Sequence, residues 1–207
     1  MKKLFFIFIF SAFFIAPSFT EAKVFVPNAS GTYSQLFNTG STFTTGAATG
    51  VFSEADDYPI NNGDTDYNCT NLANGQQSYN LEDSSDSGTI SNVRVVATAK
   101  GITTPEAIEL FLRLGTNESF GAAQNITTSY ATYTNDFATK PGGGSWSTSD
   151  ITSLEAGFRV IANGTWDNTV QRVTQLYIDV TFKTETNRVK FHILQETSSG
   201  LAPGGQN

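Results

Sequence analysis

The chain has 207 residues, a formal net charge of −7 and no run of lysine or arginine. That balance excludes nucleic acid as a partner, since phosphates demand a basic face, and it excludes a polybasic membrane-surface role. One cysteine, Cys69, rules out an intrachain disulfide, so an exported fold of this sequence is stabilised by sheet pairing and packing or by bound metal.

From the start of the chain, Lys2 and Lys3 precede the apolar run Leu4–Ile15, and Thr20-Glu21-Ala22 follows. These parts make a secretory signal peptide over residues 1–22. The run is too short for a membrane-spanning helix of about 20 residues, and no Cys follows it to carry a lipid. Lys23–Asn28 is short and apolar. Gly31–Phe37 is either a first strand or, with the residues from Lys23, an arm that pairs with a neighbouring chain. Ser41–Gly50 reads as loop. The acidic, turn-rich tract Glu54–Asn68 carries a turn signal at Asn62-Gly63. Gln76–Leu81 alternates weakly, and Glu82–Gly88 is a polar loop.

Strong strands follow. Ile90–Ala99 places Val93, Val95, Ala97 and Ala99 on one face with Arg94 and Thr98 opposite. Ala107–Leu114 places Ile108, Leu110, Leu112 and Leu114 against Glu109 and Arg113. Thr127–Phe137 sets Ala131, Tyr133 and Phe137 against Tyr130, Thr132 and Thr134. Lys140–Gly144 breaks the chain, and Ser147 with Asp150 forms a capping box for one or two helical turns near 147–154. Ala156–Ala162 is a strand, and Asn163–Asn168 a loop carrying Trp166. Thr169–Lys183 is the clearest strand, with Leu176, Ile178, Val180 and Phe182 inward and Tyr177, Asp179, Thr181 and Lys183 outward. Val189, Phe191 and Ile193 alternate again, within a C-terminal extension over 185–207 whose tail, Ser198–Asn207, is expected to be mobile.

The pattern predicts an all-β protein: one antiparallel β-sandwich domain over 23–184, each sheet with one solvated face, and one short helix. The segments SGTYSQLFNTG, NNGDTDYN, TISNVRVVATAK, IELFLRLG, SYATYTNDFATKPGGGSWSTSDITSLEAGFRV and VTQLYIDVTF resemble a widespread, poorly characterised jelly-roll domain. That domain occurs in secreted bacterial, archaeal and phage-related proteins and is similar in layout to carbohydrate-binding modules. The likeness covers roughly residues 30–182 and is most specific over Tyr130–Phe182. It implies a jelly-roll fold and a non-catalytic character, and no catalytic residue comes with it.

The residues themselves offer little catalytic chemistry. The only histidine is His192, in the extension, and no G-x-S-x-G, H-E-x-x-H, zinc cluster or phosphate loop is present. Two-carboxylate hydrolysis needs only Asp and Glu. However, Glu54, Asp56, Asp57, Asp64, Asp66, Glu82, Asp83 and Asp86 lie in loops and turns, where solvent keeps carboxyl groups ordinary. Asp56, Asp57, Asp64 and Asp66 are the candidate ligands for a structural Ca²⁺ that would fasten a loop. For ligand binding, Trp166 in its polar loop is the first candidate and Tyr58 and Tyr67, flanking the acidic tract, are the next, because apolar sugar faces lie flat on aromatic rings. Trp146 is assigned to packing, and Cys69 to a small half-buried position or an intermolecular disulfide. N-x-S/T sequons occur at Asn28, Asn68, Asn117, Asn125 and Asn163.

The expectation is thus a secreted or cell-surface, non-catalytic protein that binds carbohydrate or another surface ligand in attachment or adhesion. One alternative is a structural subunit of a filament or layer, self-associating by strand addition through Val189–Gln195 or Lys23–Phe37. The other is a weak glycan hydrolase.

Overall fold

Every second residue along the chain's last described strand enters the core. Leu176, Ile178 and Val180 are fully buried there and Phe182 nearly so, as the alternating geometry of a strand requires. The computed structural model describes residues 20–38, 52–60, 63–70, 74–101, 106–162 and 171–183. The strands among these are β1 (Thr20–Phe25), β2 (Pro27–Ser34), β3 (Phe37–Asn38), β4 (Asn68–Thr70), β5 (Gln76–Leu81) and β6 (Thr89–Lys100). They continue with β7 (Glu106–Leu114), β8 (Asn117–Phe120), β9 (Gln124–Ile126), β10 (Ala131–Phe137), β11 (Leu154–Ala162) and β12 (Gln171–Lys183). Among the described residues one α-helix, α1 (Thr148–Thr152), and two 3₁₀ turns, Phe52–Glu54 and Gly63–Thr65, interrupt them.

The strands form two antiparallel sheets. The first runs β10-β6-β12-β4-β3, with β1 also on β12; the second runs β2-β5-β11-β7-β8, with β9 also on β7. With β1, β5, β6, β7, β8, β10, β11 and β12 taken in turn, the sheets read β10-β6-β12-β1 and β5-β11-β7-β8. That is jelly-roll order, in which the chain passes from sheet to sheet and so covers both inner faces. The expected fold class is therefore the observed one. Between the sheets lie Val93, Val95, Ala97, Ile108, Leu110, Leu112, Phe158, Tyr79 and their neighbours in a single apolar cluster.

Two irregularities shape the outer surfaces. Near the start of β12 the register slips between Val173 and Gln175, leaving Thr174 unpaired on β6. That bulge preserves the inward phase of Val173 and of Leu176 onward. β1 lines β12 from Ile178 to Lys183 and β4 lines it from Gln171 to Val173. The edge between them is closed by the acidic tract: Leu176 N–H donates to the Ala55 carbonyl at 2.8 Å and the Thr174 hydroxyl to the Asp66 carbonyl at 2.8 Å. The second irregularity lies in β2, where the pairing on β5 breaks between Ser30 and Ser34 and the intervening residues arch over the sheet.

Several sequence expectations change here. Lys23–Phe37 is not a free arm: Lys23, Val24 and Phe25 pair with Val180, Asp179 and Ile178, and β2 pairs with β5. β1 begins at Thr20, so the expected cleavage after Ala22 falls inside a strand. The helix is one turn, and the Asp150 carboxylate accepts from both Ser147 N–H (2.7 Å) and its hydroxyl (2.6 Å). Trp146 packs as expected, its indole N–H donating to the Phe137 carbonyl at 2.9 Å. Cys69 is buried outside the main cluster rather than half-buried. The sequon residue Asn68 is also buried, with its amide on the Tyr79 hydroxyl at 2.8 Å, so it is closed to a glycan. Trp166, Asn163, His192 and the whole segment 185–207, Val189–Gln195 included, lie outside the described residues. No described helix is long and apolar enough to cross a membrane.

Candidate ligand-binding face

A sandwich has two outer faces, and this chain closes one of them with its own residues. On the β2-β5-β11-β7 sheet, Phe111 points outward yet is fully buried. Phe120 packs against it with ring centroids 5.1 Å apart, and Tyr33, from the β2 arch, meets its edge at 6.0 Å. Gly157 makes room: a Cβ there would lie 2.6 Å from the Phe111 ring. Beside this small core sits Glu155. Its carboxylate accepts from Thr32 N–H (2.7 Å), the Thr32 hydroxyl (2.7 Å), the Ser78 hydroxyl (2.6 Å) and the Arg113 guanidinium (2.7 Å). Burial would raise its affinity for a proton, but those donors outweigh burial and hold the group below the usual carboxylate range. Arg159 stacks on Phe120 at 4.2 Å and pairs with Glu109. Charges and rings on this face are satisfied internally, so it serves the fold.

The outer face of the other sheet is open in part: Thr98, Val96 and Gln175 are buried on it, while Thr132, Thr134, Asp136 and Arg94 are exposed and Tyr177 and Asp179 half-buried. Register places its side chains in rows across β10, β6 and β12: Thr132, Thr98 and Gln175; then Thr134, Val96 and Tyr177; then Asp136, Arg94 and Asp179. At the centre Tyr58 meets Tyr177 edge to face, with ring centroids 4.9 Å apart and an interplanar angle of 65°. Tyr58 is 47% exposed and Ile60 is 77% exposed, the large apolar side chains that most face solvent among the described residues. The Tyr58–Pro59 peptide is cis. Gln175 donates its amide to the Asp57 carbonyl and so ties the tract to the sheet. Beneath the pair, Val96 is buried although it lies on the outer side of β6.

Charged groups bound this aromatic centre at both ends. On one side Arg94 binds Asp136 in a fork, at 2.9 and 3.1 Å, and Asn92 adds a third donor at 2.5 Å. Asp136 is held below the usual range mainly by Arg94. On the other side Asp64 accepts from Lys100 (2.6 Å), Arg172 (2.5 Å) and the Tyr130 hydroxyl (3.0 Å). The Lys100 hydrogen bond is the main reason its carboxyl falls to about 2. Lys100 lies 4.7 Å above the Tyr130 ring and Arg172 4.5 Å above Tyr67. The loop carboxyl groups are therefore not all ordinary. Asp64 is strongly acidic, Asp86 is lowered by Lys23, and Asp56 is raised by burial and by its neighbour Asp57.

The predicted site residues divide accordingly. Tyr58 and Tyr67 both reach the open face, Tyr58 beside Tyr177 and Tyr67 beneath Arg172. Trp166 is outside the described residues. The proposed calcium ligands do not gather: among the described residues no group of three or more His, Cys, Asp or Glu could hold a metal ion, and Asp64 is engaged by two cations. Sequence reading did not single out Tyr177, which the structure sets against Tyr58, nor Arg94, Asp136 and Asp179 in the next row. The outward phase of Tyr177 and Asp179 on β12 was the one available signal.

No family model matches the chain, and no characterised protein matches it by sequence. Solved structures do. A family 4 carbohydrate-binding module has a TM-score of 0.38 and 13% identity, over 55% of this chain and 83% of that one. A variant of a family 29 module has a TM-score of 0.36 and 13% identity over 77% and 85% of the two chains. A family 36 module of a multidomain xylanase from the hindgut metagenome of Trinervitermes trinervoides has a TM-score of 0.34 and 12% identity over 77% and 96%.

Proposed function

We propose that the protein is a secreted, non-catalytic module that binds a glycan on the outer face of the β10-β6-β12 sheet. The observation that carries this reading is the exposed Tyr58 ring, buttressed by Tyr177 and set among forked, planar polar side chains. Such a pairing suits a sugar, whose C–H face stacks on an aromatic ring while its hydroxyl groups bond in the ring plane. A soluble protein gains nothing in stability from presenting Tyr58 and Ile60 together to water. Two of the carboxyl groups bordering the rings are unsuited to serve as the acid of hydrolysis, because a glycosidase needs a carboxylic acid that keeps its proton. Asp64 and Asp136 are instead held ionised by Lys100, Arg172 and Arg94. Export is supported by the leader pattern of residues 1–22, and attachment at a cell surface follows from a binding module sent outside.

The test is affinity gel electrophoresis of the chain and its Tyr58→Ala and Tyr177→Ala variants in soluble polysaccharides. Wild type is retarded by at least one neutral polysaccharide. Each variant loses about tenfold in affinity, as expected for removing a stacked ring worth about 1.4 kcal/mol, while its circular dichroism is unchanged. Equal retardation of wild type and both variants removes the face from binding.

A further inference from the structure

Two carboxylates adjoin the Tyr58–Tyr177 pair, and each holds one covered oxygen that no donor reaches: Asp57 Oδ2 and Asp179 Oδ1. Asp57 precedes Tyr58 in the tract. Asp179 stands two residues beyond Tyr177 on the same face of β12, in the row of Arg94 and Asp136. A covered acceptor left without a donor is a cost to the fold, and native structures keep few of them. Elsewhere on both outer faces, carboxylates at comparable positions are matched, Glu155 by four donors, Asp136 by Arg94 and Asn92, and Asp64 by Lys100, Arg172 and Tyr130. Arg94, which faces Asp179 in that row, already gives its fork to Asp136. Asp179 is therefore a surplus acceptor beside the exposed rings, on a side chain that stays partly exposed.

Resting on the glycan-binding reading, we infer that Asp179 is a specificity-determining residue: it accepts a hydroxyl hydrogen of an uncharged glycan stacked against Tyr177. Across that row one guanidinium faces two carboxylates, so the charge beside the rings is negative. A neutral polyol brings donors to this acceptor without repulsion, whereas the carboxylate of a uronic acid meets like charge. Asp179 Oδ1 is covered, so a hydroxyl arriving from the face meets the other oxygen, Oδ2, on the partly exposed side of the carboxylate, without backbone movement.

The experiment compares Asp179→Asn and Asp179→Thr with wild type and Tyr177→Ala in the full chain. Thermal melting is followed beside affinity electrophoresis in galactomannan, xyloglucan, hydroxyethylcellulose and polygalacturonate. The expected result is a melting temperature equal to or above wild type for Asp179→Asn, because a side chain with a covered, unpartnered carboxylate oxygen is gone. On the neutral polysaccharide that wild type binds, its affinity falls about tenfold or more, the range for losing a hydrogen bond to a charged group. Unchanged affinity in both Asp179 variants, with Tyr177→Ala weakened, overturns the role of Asp179 and leaves the face standing. Affinity lost only in a variant that also melts early overturns it too, since that is a structural effect. Tighter retention on polygalacturonate than on any neutral polymer overturns the ligand class. A wild type retarded by none of the four, with Tyr177→Ala equally mobile, overturns the face together with the inference.

Discussion

Asp64 gathers Lys100, Arg172 and Tyr130 from three parts of the chain, with 36 residues separating it from Lys100 and 108 from Arg172. Its carboxyl is drawn from 3.8 to about 2. A depressed folded-state value means that the group stabilises the fold above the unfolded value, near pH 4, and that this contribution is lost as pH falls toward 2. The side chain is 55% exposed, so solvent screening limits the effect to under about 1 kcal/mol at neutral pH. Asp64→Asn is therefore expected to lower the melting temperature at pH 7 by about 2–4 °C at most. Most of the difference should be lost by pH 2, and it should shrink in about 1 M salt. A melting series at both pH values checks it. Nothing local in the sequence announced this cluster. NGDTDYN reads as a solvated turn, and its meaning comes from cations that only the fold brings near. Tyr58 showed in the sequence only as an aromatic residue flanking the acidic tract. Tyr177 and Asp179 showed only as the polar phase of a strand.

At the scale of elements, period two revealed β6, β7 and β12, because each is long enough to repeat its pattern several times. β3, β4, β8 and β9 have two to four residues, too few to show a period, and are held by the partners they lie against. The arch in β2 escaped for another reason. Its role is to roof Phe111, and Phe111 sits in the polar phase of β7, where an aromatic reads as incidental. Gly157 is the element that makes this roof fit. An added Cβ would stand 2.3 Å from the Gln77 carbonyl oxygen and 2.6 Å from Phe111 Cζ. The ring can turn aside, but the carbonyl belongs to β5 and cannot. Gly157→Ala should thus separate β11 from β5 and destabilise by about 1–3 kcal/mol or more, as overpacking does. Urea denaturation reads this as a lower midpoint at unchanged slope. Adding Phe111→Leu should restore only part of the loss, and full restoration would show that the ring alone is the obstacle.

For the molecule as a whole, the open face depends on how the far edge of β12 is covered. β6 lines one side of that strand along its length, but the other side is shared by β4, the acidic tract and β1. Loss of any one exposes ladder groups of a long, apolar strand, the kind of edge that recruits other chains. β1 covers six residues of it, from Ile178 to Lys183, and seats Phe25 in the core. A chain starting at Lys23 keeps the pairs of Lys23, Val24 and Phe25 with Val180, Asp179 and Ile178. A chain starting at Pro27 keeps none of them and loses Phe25 as well. Burying that ring alone is worth about 1.5–3 kcal/mol. The Pro27 start is therefore expected to melt well below the Lys23 start and to self-associate with rising concentration in light scattering, through β12. If both behave alike, the acidic tract alone suffices to close the edge. A face built on Tyr177 and Asp179 then has its support from the β6 side. The contrast matters for binding, because Asp179 pairs with Val24 across this edge, so a chain without β1 should lose the proposed acceptor's position before it loses the Tyr58–Tyr177 contact.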